Sequence, residues 1–198
     1  ALPNALTCLI CLGFPGSKPQ LNREAFEQAV KIALVLNCTA SSQVVFSRKT
    51  YYYPDLSKNF QITQFESPVG LNGLFDAGDL RVVIQRVQLE EDPAQVFYKQ
   101  SMLADEYSLL DYSRSGTALC EIVTAPCFTT ASQAREYLKT LFKLLSYLGL
   151  VDKEAEAVLR TDANVSIQGG ERVEIKNITG FTAVEKAIEG DRIRQTAL

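Results

Sequence analysis

The order of elements in this 198-residue sequence predicts an α+β protein, a largely antiparallel sheet with helices packed around it. Three observations carry that prediction. Short stretches rich in β-branched and aromatic residues come in runs separated by turn signals, rather than alternating one-to-one with helices. Helical apolar stripes appear at widely separated places, with capping residues at their starts. A hairpin pattern with two faces of opposite polarity lies near the end.

The first 20 residues are turn-rich, with Pro3, Gly13, Pro15, Gly16 and Pro19, and they carry Cys8-x-x-Cys11. A helix is expected from about Asn22, a good N-cap, through Leu36, with Phe26, Ala29, Val30, Ala33 and Leu36 on one stripe. Strand-like pieces follow in "QVVFSRKTYYY" and, after the Pro54-Asp55 turn, in "NFQITQFESPV". A Gly/Asn/Asp-rich linker is expected before the longest strand, "LRVVIQRVQLEED", and residues 93–108 read as loop. "TALCEIVTAP" is a strand stopped by Pro126. The clearest helix spans about 131–148, with a capping box from Thr130 to Gln133 and Gly149 at its end. "VLRTDANVSIQGGERVEIKNI" reads as a hairpin turning at Gly169-Gly170, and a last helix is expected near Thr182, capped through Glu185.

Bulk composition narrows the function classes. The 46% hydrophobic and 22% charged fractions are those of a globular protein with a core, which argues against general disorder. No apolar run approaches the roughly 20 residues of a membrane-spanning helix. A net charge of −3 argues against a freestanding binder of nucleic acid that relies on phosphate neutralisation. Five cysteines, an odd number in a chain of this length, suit a reducing compartment better than a disulfide scaffold. With no His in the sequence, no His-based triad or metal site forms from these residues alone. The abrupt start at "ALPN" and the stop inside a helical pattern suggest a piece of a longer protein.

Candidate chemistry gathers on two strands, a hairpin and the turn-rich first residues. Glu90, Glu91 and Asp92 stand side by side at the end of the long strand, which calls for a nearby cation. Alternation puts Gln88 and Glu90 on one face and Glu91 on the other, so a single pocket would receive one of them unless a bulge or turn re-aims the second. Glu121 is the only charge in "ALCEIV" and reads as a buried carboxylate. It is either ion-paired with Arg48, Arg114 or Arg160, or has a metal or catalytic role. In the hairpin, Arg160, Asp162, Asn164 and Ser166 share one face, and Arg172, Glu174 and Lys176 share a face across the turn. That surface is either an ordinary wet side of a sheet or the wall of a polar cavity. Cys8 and Cys11 have zinc-ligand spacing but supply half of a tetrahedral set.

Six blocks carry a family likeness: "LPNALTCLICLGFPGSKPQLN", "FSRKTYYYPDLSKNFQITQFESPVG", "QLEED", "SLLDYSRSGTALCEIVTAP", "LRTDANVSI" and "RVEIKNITGFTAVEKAIEGDRIRQ". In this order, over nearly the whole sequence, they resemble the B subunit of the tRNA-dependent amidotransferases (GatB). The archaeal relative GatE fits the "YYYPDLSKNFQITQ" block less well. The resemblance implies the catalytic cradle domain over residues 1–198, lacking a first strand upstream and the helical and tail domains downstream. It implies a carbon–nitrogen ligase with glutamine as amido-N donor. Such an enzyme phosphorylates the side-chain carboxylate of Glu-tRNA(Gln) or Asp-tRNA(Asn) with ATP and amidates it with channelled ammonia. The alternative is a non-catalytic homologue that serves assembly or tRNA docking in the same complex.

By the same resemblance, Glu91 and Glu121 match magnesium ligands, with a third ligand expected upstream. Glu90 matches a proton relay at the outlet of the ammonia channel, and Lys49 matches a lysine of that channel. Asp162, with a catalytic role, and Asn164, Lys176 and Arg160 match the substrate and ATP pocket. Cys8 and Cys11 match half of a zinc site. The implied partners are an amidase subunit (GatA), a small C subunit or its equivalent, and aminoacyl-tRNA, with no membrane. The compartment stays open: cytoplasm in a prokaryote, mitochondrion or plastid in a eukaryote. Two departures stand out, "EEDPAQ" where the family has "EEDAGK" and "ITG" where it has "LNS" after "EIKN".

Overall fold

The computed structural model describes residues 2–99, 107–152 and 159–197. By their internal contacts the residues divide into two compact units, 1–73 with 84–123, and 74–83 with 124–198. Small antiparallel sheets and three helices among the described residues make this an α+β chain, as its sequence predicts.

In the first unit, α1 (Arg23–Val35) starts where the Asn22 side chain accepts the amide of Ala25 at 3.0 Å. Its apolar stripe buries Ala29, Ile32 and Ala33, and Leu36 closes it without any exposure. The strands β1 (Thr39–Ala40), β4 (Gly70–Ala77), β5 (Leu80–Glu91) and β8 (Ala118–Thr124) form a sheet in the order β1-β4-β5-β8, of which residues 74–83 and Thr124 are counted with the second unit. Two short ribbons accompany it. In one, β2 (Ser47–Thr50) pairs antiparallel with β3 (Phe60–Thr63), and in the other β6 (Gln95–Lys99) pairs with β7 (Tyr107–Asp111).

Two stretches differ from expectation. The Gly/Asn/Asp-rich segment is strand β4 with a two-residue turn at Gly78-Asp79, not a linker. Its glycines let another element come close. A Cβ on Gly73 would stand 2.5 Å from both Cys38 Sγ and Leu36 O, and one on Gly70 would stand 2.7 Å from Ala33 Cβ. Residues that resemble strand breakers are therefore the ones the packed α1 requires. Part of the expected 93–108 loop is strand as well, in β6 and the first residues of β7; residues 100–106 lie outside the described set.

In the second unit, α2 (Ala131–Tyr147) has the expected capping box between Thr130 and Gln133. Tyr137 meets Phe75 edge-on at 6.0 Å and Phe128 at 5.3 Å. The hairpin β9 (Arg160–Val165) and β10 (Val173–Thr179) pairs Glu174 with Asn164 and Ile175 with Ala163, then bulges before Ile178. α3 (Phe181–Thr196) begins one residue earlier than expected, with Gly180 at its cap and no side-chain capping bond. Glu185 is not a capping residue: it accepts from Arg135 of α2 at 3.0 Å.

A methyl group at Gly73 has no room, whereas one at Gly190, on the exposed part of α3, meets nothing within 4 Å. Gly73→Ala should destabilise by ~1–3 kcal/mol through overpacking. Gly190→Ala should stabilise by ~0.5–1 kcal/mol through helix propensity. Denaturant midpoints check both signs; equal shifts would contradict the packing role of β4.

Candidate active site

The end of β5 turns a strand pattern into a polar cluster. Up to Ile84 the strand alternates buried and exposed residues, but Val87, Gln88 and Leu89 are all buried. Gln88, only 3% exposed, is the pivot. Its amide nitrogen donates to Glu90 Oε1 at 2.9 Å and to Glu121 Oε2, on β8, at 2.6 Å. Its amide oxygen accepts from Arg86 Nε at 2.6 Å. Two carboxylate oxygens from different strands thus share one donor nitrogen, whose partner oxygen is in turn held by a guanidinium.

β3 closes the cluster from the side. Thr63 donates its hydroxyl to Glu90 Oε1, and Gln61 donates to Glu90 Oε2 at 3.4 Å and to the Glu91 carbonyl at 2.8 Å. Glu91 takes the neighbouring position: its Oε2 pairs with Lys58 and accepts the Ile62 amide at 3.4 Å. The Lys58 and Glu91 side chains are 8% and 15% exposed, so this ion pair is shielded from water. Asp92 completes the run by pairing with Arg114, while its backbone N–H donates to Thr117 O at 2.8 Å. Each acid of the triplet therefore has its own partner.

Strand alternation assigns Glu90 and Glu91 to different pockets. Instead, both line the same open cavity of about 510 Å³, together with Asn22, Phe46, Ile62 and Thr117. The reason is β3, which offers the side chains of Gln61 and Thr63 to Glu90 and the backbone N–H of Ile62 to Glu91. Glu121 differs from its expected burial: it is exposed on β8. Of the arginines considered for it, Arg114 is engaged by Asp92, and Arg48 stacks over Phe60 at 4.9 Å.

Lys49 lies opposite Gln61 in the β2–β3 ribbon. Directly paired residues share a face, so Lys49 is on the side from which Gln61 reaches Glu90. Its ammonium stands 5.9 Å from the Tyr51 ring, and burial, with Asp55 and Glu90 nearby, pushes the Tyr51 phenol up. Cys8 and Cys11 bring their sulfurs to 3.2 Å. The Cys11 amide and thiol beside Cys8 pull its thiol down, while burial pushes Cys11 up.

Arg160, Asp162, Asn164 and Lys176 belong to the second unit. The hairpin has the expected wet face, with Arg160, Asp162, Asn164, Glu174 and Lys176 exposed and Ala163, Val165 and Ile178 buried. Asp162 accepts the Asn177 amide at 2.8 Å, and the Lys176 ammonium stands 3.2 Å from Glu174 and 4.0 Å from Asp162.

The carboxylates of the first unit are oxygen donors of the kind magnesium takes, which is commonly one or two carboxylates with water and substrate phosphate. Among the described residues, no three of His, Cys, Asp and Glu cluster as a ready-made metal cage. The donor chemistry of these carboxylates fits a cation shared with substrate. Gln61, Thr63 and Lys58 escape a reading of the sequence. Their signal is there in part, as Gln and Thr in "QITQ" where a strand beside an acidic run would otherwise be apolar.

A model of the GatB/GatE catalytic domain matches residues 1–198. The chain belongs to that family. It is 44% identical to the B subunit of the aspartyl/glutamyl-tRNA(Asn/Gln) amidotransferase of Methanoregula boonei and 45% identical to that of Sulfolobus acidocaldarius, each over 99% of its length. Against the corresponding protein of Carboxydothermus hydrogenoformans the identity is 41% over 98%. The chain spans about two fifths of the length of these relatives, 42%, 43% and 42% respectively.

Removing one member of a shielded ion pair leaves the other charge uncompensated. Lys58→Met should therefore destabilise by ~3–5 kcal/mol, and pairing it with Glu91→Leu should recover most of that loss. Arg23→Ala, in a pair whose side chains are 92% and 52% exposed, should cost under ~0.5 kcal/mol. Urea denaturation of the variants checks the ranking; a Lys58→Met loss no larger than that of Arg23→Ala would contradict the shielding.

Proposed function

We propose that this chain is the catalytic portion of the B subunit of a tRNA-dependent amidotransferase. It activates the side-chain carboxylate of Glu-tRNA(Gln), Asp-tRNA(Asn) or both with ATP, then amidates it with ammonia supplied by an amidase subunit (GatA) held in complex with a small C subunit. The observation that carries this reading is the pair of acids Glu90 and Glu91 at the cavity edge, with Glu121 of β8 joined to Glu90 through Gln88. Membership of the GatB/GatE catalytic domain family supports it.

The chemistry has two steps. In the first, a side-chain carboxylate oxygen of the aminoacyl group attacks the γ-phosphorus of ATP and ADP leaves, giving an acyl phosphate. In the second, ammonia attacks the acyl carbon, phosphate leaves, and a proton from nitrogen is taken up. Phosphoryl transfer depends mainly on positioning and charge neutralisation, so it suits a site of placed carboxylates and cations rather than an activated nucleophile. Glu91 and Glu121 would hold magnesium, which neutralises charge on the phosphoryl oxygens when bound. Glu90, whose oxygens are held by Thr63, Gln61 and Gln88, would accept the proton from the attacking nitrogen. Lys49, on the same face as Gln61, supplies positive charge on the ammonia route. Asp162, Lys176 and Arg160, with their exposed charges, and Asn164, with its exposed amide, are assigned to the nucleotide and aminoacyl groups.

Phosphoryl transfer from labelled ATP to aminoacyl-tRNA, assayed with the complete protein and its amidase partner, tests the reading. Glu121→Gln should lower that transfer by ~100-fold or more while leaving tRNA binding in place. Unchanged transfer would remove Glu121 from the machinery. Assembly with no ATP turnover by the unaltered protein would favour a docking module instead.

A further inference from the structure

Glu91, a proposed magnesium ligand, already carries a charge partner. Its Oε2 pairs with the Lys58 ammonium and accepts the Ile62 amide at 3.4 Å. Both bonds fall on the same oxygen, so Oε1 is the one left for a ligand in the open cavity that Glu91 lines. The backbone at this point is held as well, because Gln61 Nε2 donates to the Glu91 carbonyl at 2.8 Å.

Lys58 is built into its place. Its side chain is 8% exposed, and its ammonium stands 5.4 Å from the centre of the Phe60 ring. The chain is tied on either side of it. Ser57 donates its hydroxyl to Cys11 O at 2.6 Å, and Asn59 N–H donates at 3.2 Å to the carbonyl of the buried Leu56. The neighbouring acid is held differently: the partners of Glu90 are Thr63, Gln61 and Gln88, all uncharged. Of two adjacent acids, one therefore keeps its charge and the other has it matched at close range. That match is shielded from water, where a charge acts strongly on its neighbours.

We propose that Lys58 is a positioning residue that makes binding of a divalent cation at Glu91 conditional on nucleotide. The proposal rests on the ATP-dependent function inferred for the chain. The Lys58 ammonium fixes Oε2, presents Oε1 as a single-oxygen ligand and repels any second cation. A carboxylate whose charge is already matched offers little to a free metal ion. Triphosphate brings the negative charge that offsets the repulsion, so metal and nucleotide enter together. Lys58 keeps its bond to Oε2 throughout. By linkage, the nucleotide tightens the metal by the factor by which the metal tightens the nucleotide.

The test measures Mn2+ binding to the complete protein by electron paramagnetic resonance, with and without a non-hydrolysable ATP analogue. Without nucleotide, Lys58→Met and Lys58→Gln should each bind Mn2+ at least about tenfold more tightly than the unaltered protein, whereas Lys58→Arg should stay within about threefold of it. The factor by which the analogue tightens Mn2+ should shrink correspondingly in the two neutral variants. A purely structural role would give the opposite sign, because a loosened Glu91 holds metal less well. Lys58→Gln retains an N–H donor for Oε2 and reads the charge alone if Lys58→Met fails to fold. In the unaltered protein, with isotope-labelled lysine side chains, the Lys58 ammonium signal should persist when Mg2+ and the analogue are both bound. Equal or weaker Mn2+ binding by the neutral variants would overturn the proposal, as would loss of that ammonium signal on loading. Failure of the unaltered protein to bind either Mn2+ or the analogue would overturn the ATP-dependent function together with it.

Discussion

One amide nitrogen, Nε2 of Gln88, stands between carboxylates from two strands, and the geometry of the site follows from it. Glu90 and Glu121 would repel one another if both were held close without compensation, and the lower-energy arrangement would turn one of them away. The Gln88 side chain offers a donor to each and accepts from Arg86 on its other end. A guanidinium charge is thus passed along by polarisation through a neutral amide to a pair of acids. Because Gln88 is buried, its donors must be satisfied, so the same requirement that fixes the amide also fixes the carboxylates.

The rest of the acidic run is stabilised by the same logic with different partners. Glu91 is matched by Lys58 in a shielded pair, and Asp92 by Arg114 and the backbone of the β8 approach. Distinct partners let three adjacent acids remain on one short stretch. They also leave the edge of an open cavity negative at Glu90, whose partners Thr63, Gln61 and Gln88 are uncharged, and a cation shared with phosphate would be welcome there. The partners sit on loops that meet at the Cys11 carbonyl, which ties a cysteine turn far away in sequence to the chemistry of β5.

What the sequence displays and what it conceals divide along physical lines. Local signals read correctly: Asn22 and Thr130 cap because short polar side chains satisfy orphan amides wherever a helix starts. The two-faced hairpin also reads correctly, since Ala163 and Val165 alternate with Asp162 and Asn164. Long-range requirements do not. Gly70 and Gly73 look like breakers until α1 is seen pressed on them, and Gly180 takes the cap expected near Thr182. In the site, the acids are legible as chemistry out of place in apolar strands. Their partners are not, because Lys58 is 33 positions from Glu91 and Gln88 reads as one more polar residue on a strand. Nor does the sequence show that β8 leaves Glu121 exposed.

The direct measurement is a double-mutant cycle joining Gln88→Leu and Glu121→Leu, read as the free energy of unfolding. If the amide holds the carboxylate across the two strands, the pair should show a coupling of about 1 kcal/mol or more, since each single change already removes the shared bond. Additivity within ~0.3 kcal/mol would mean the two side chains act independently, and the acidic cluster would lose its organising contact.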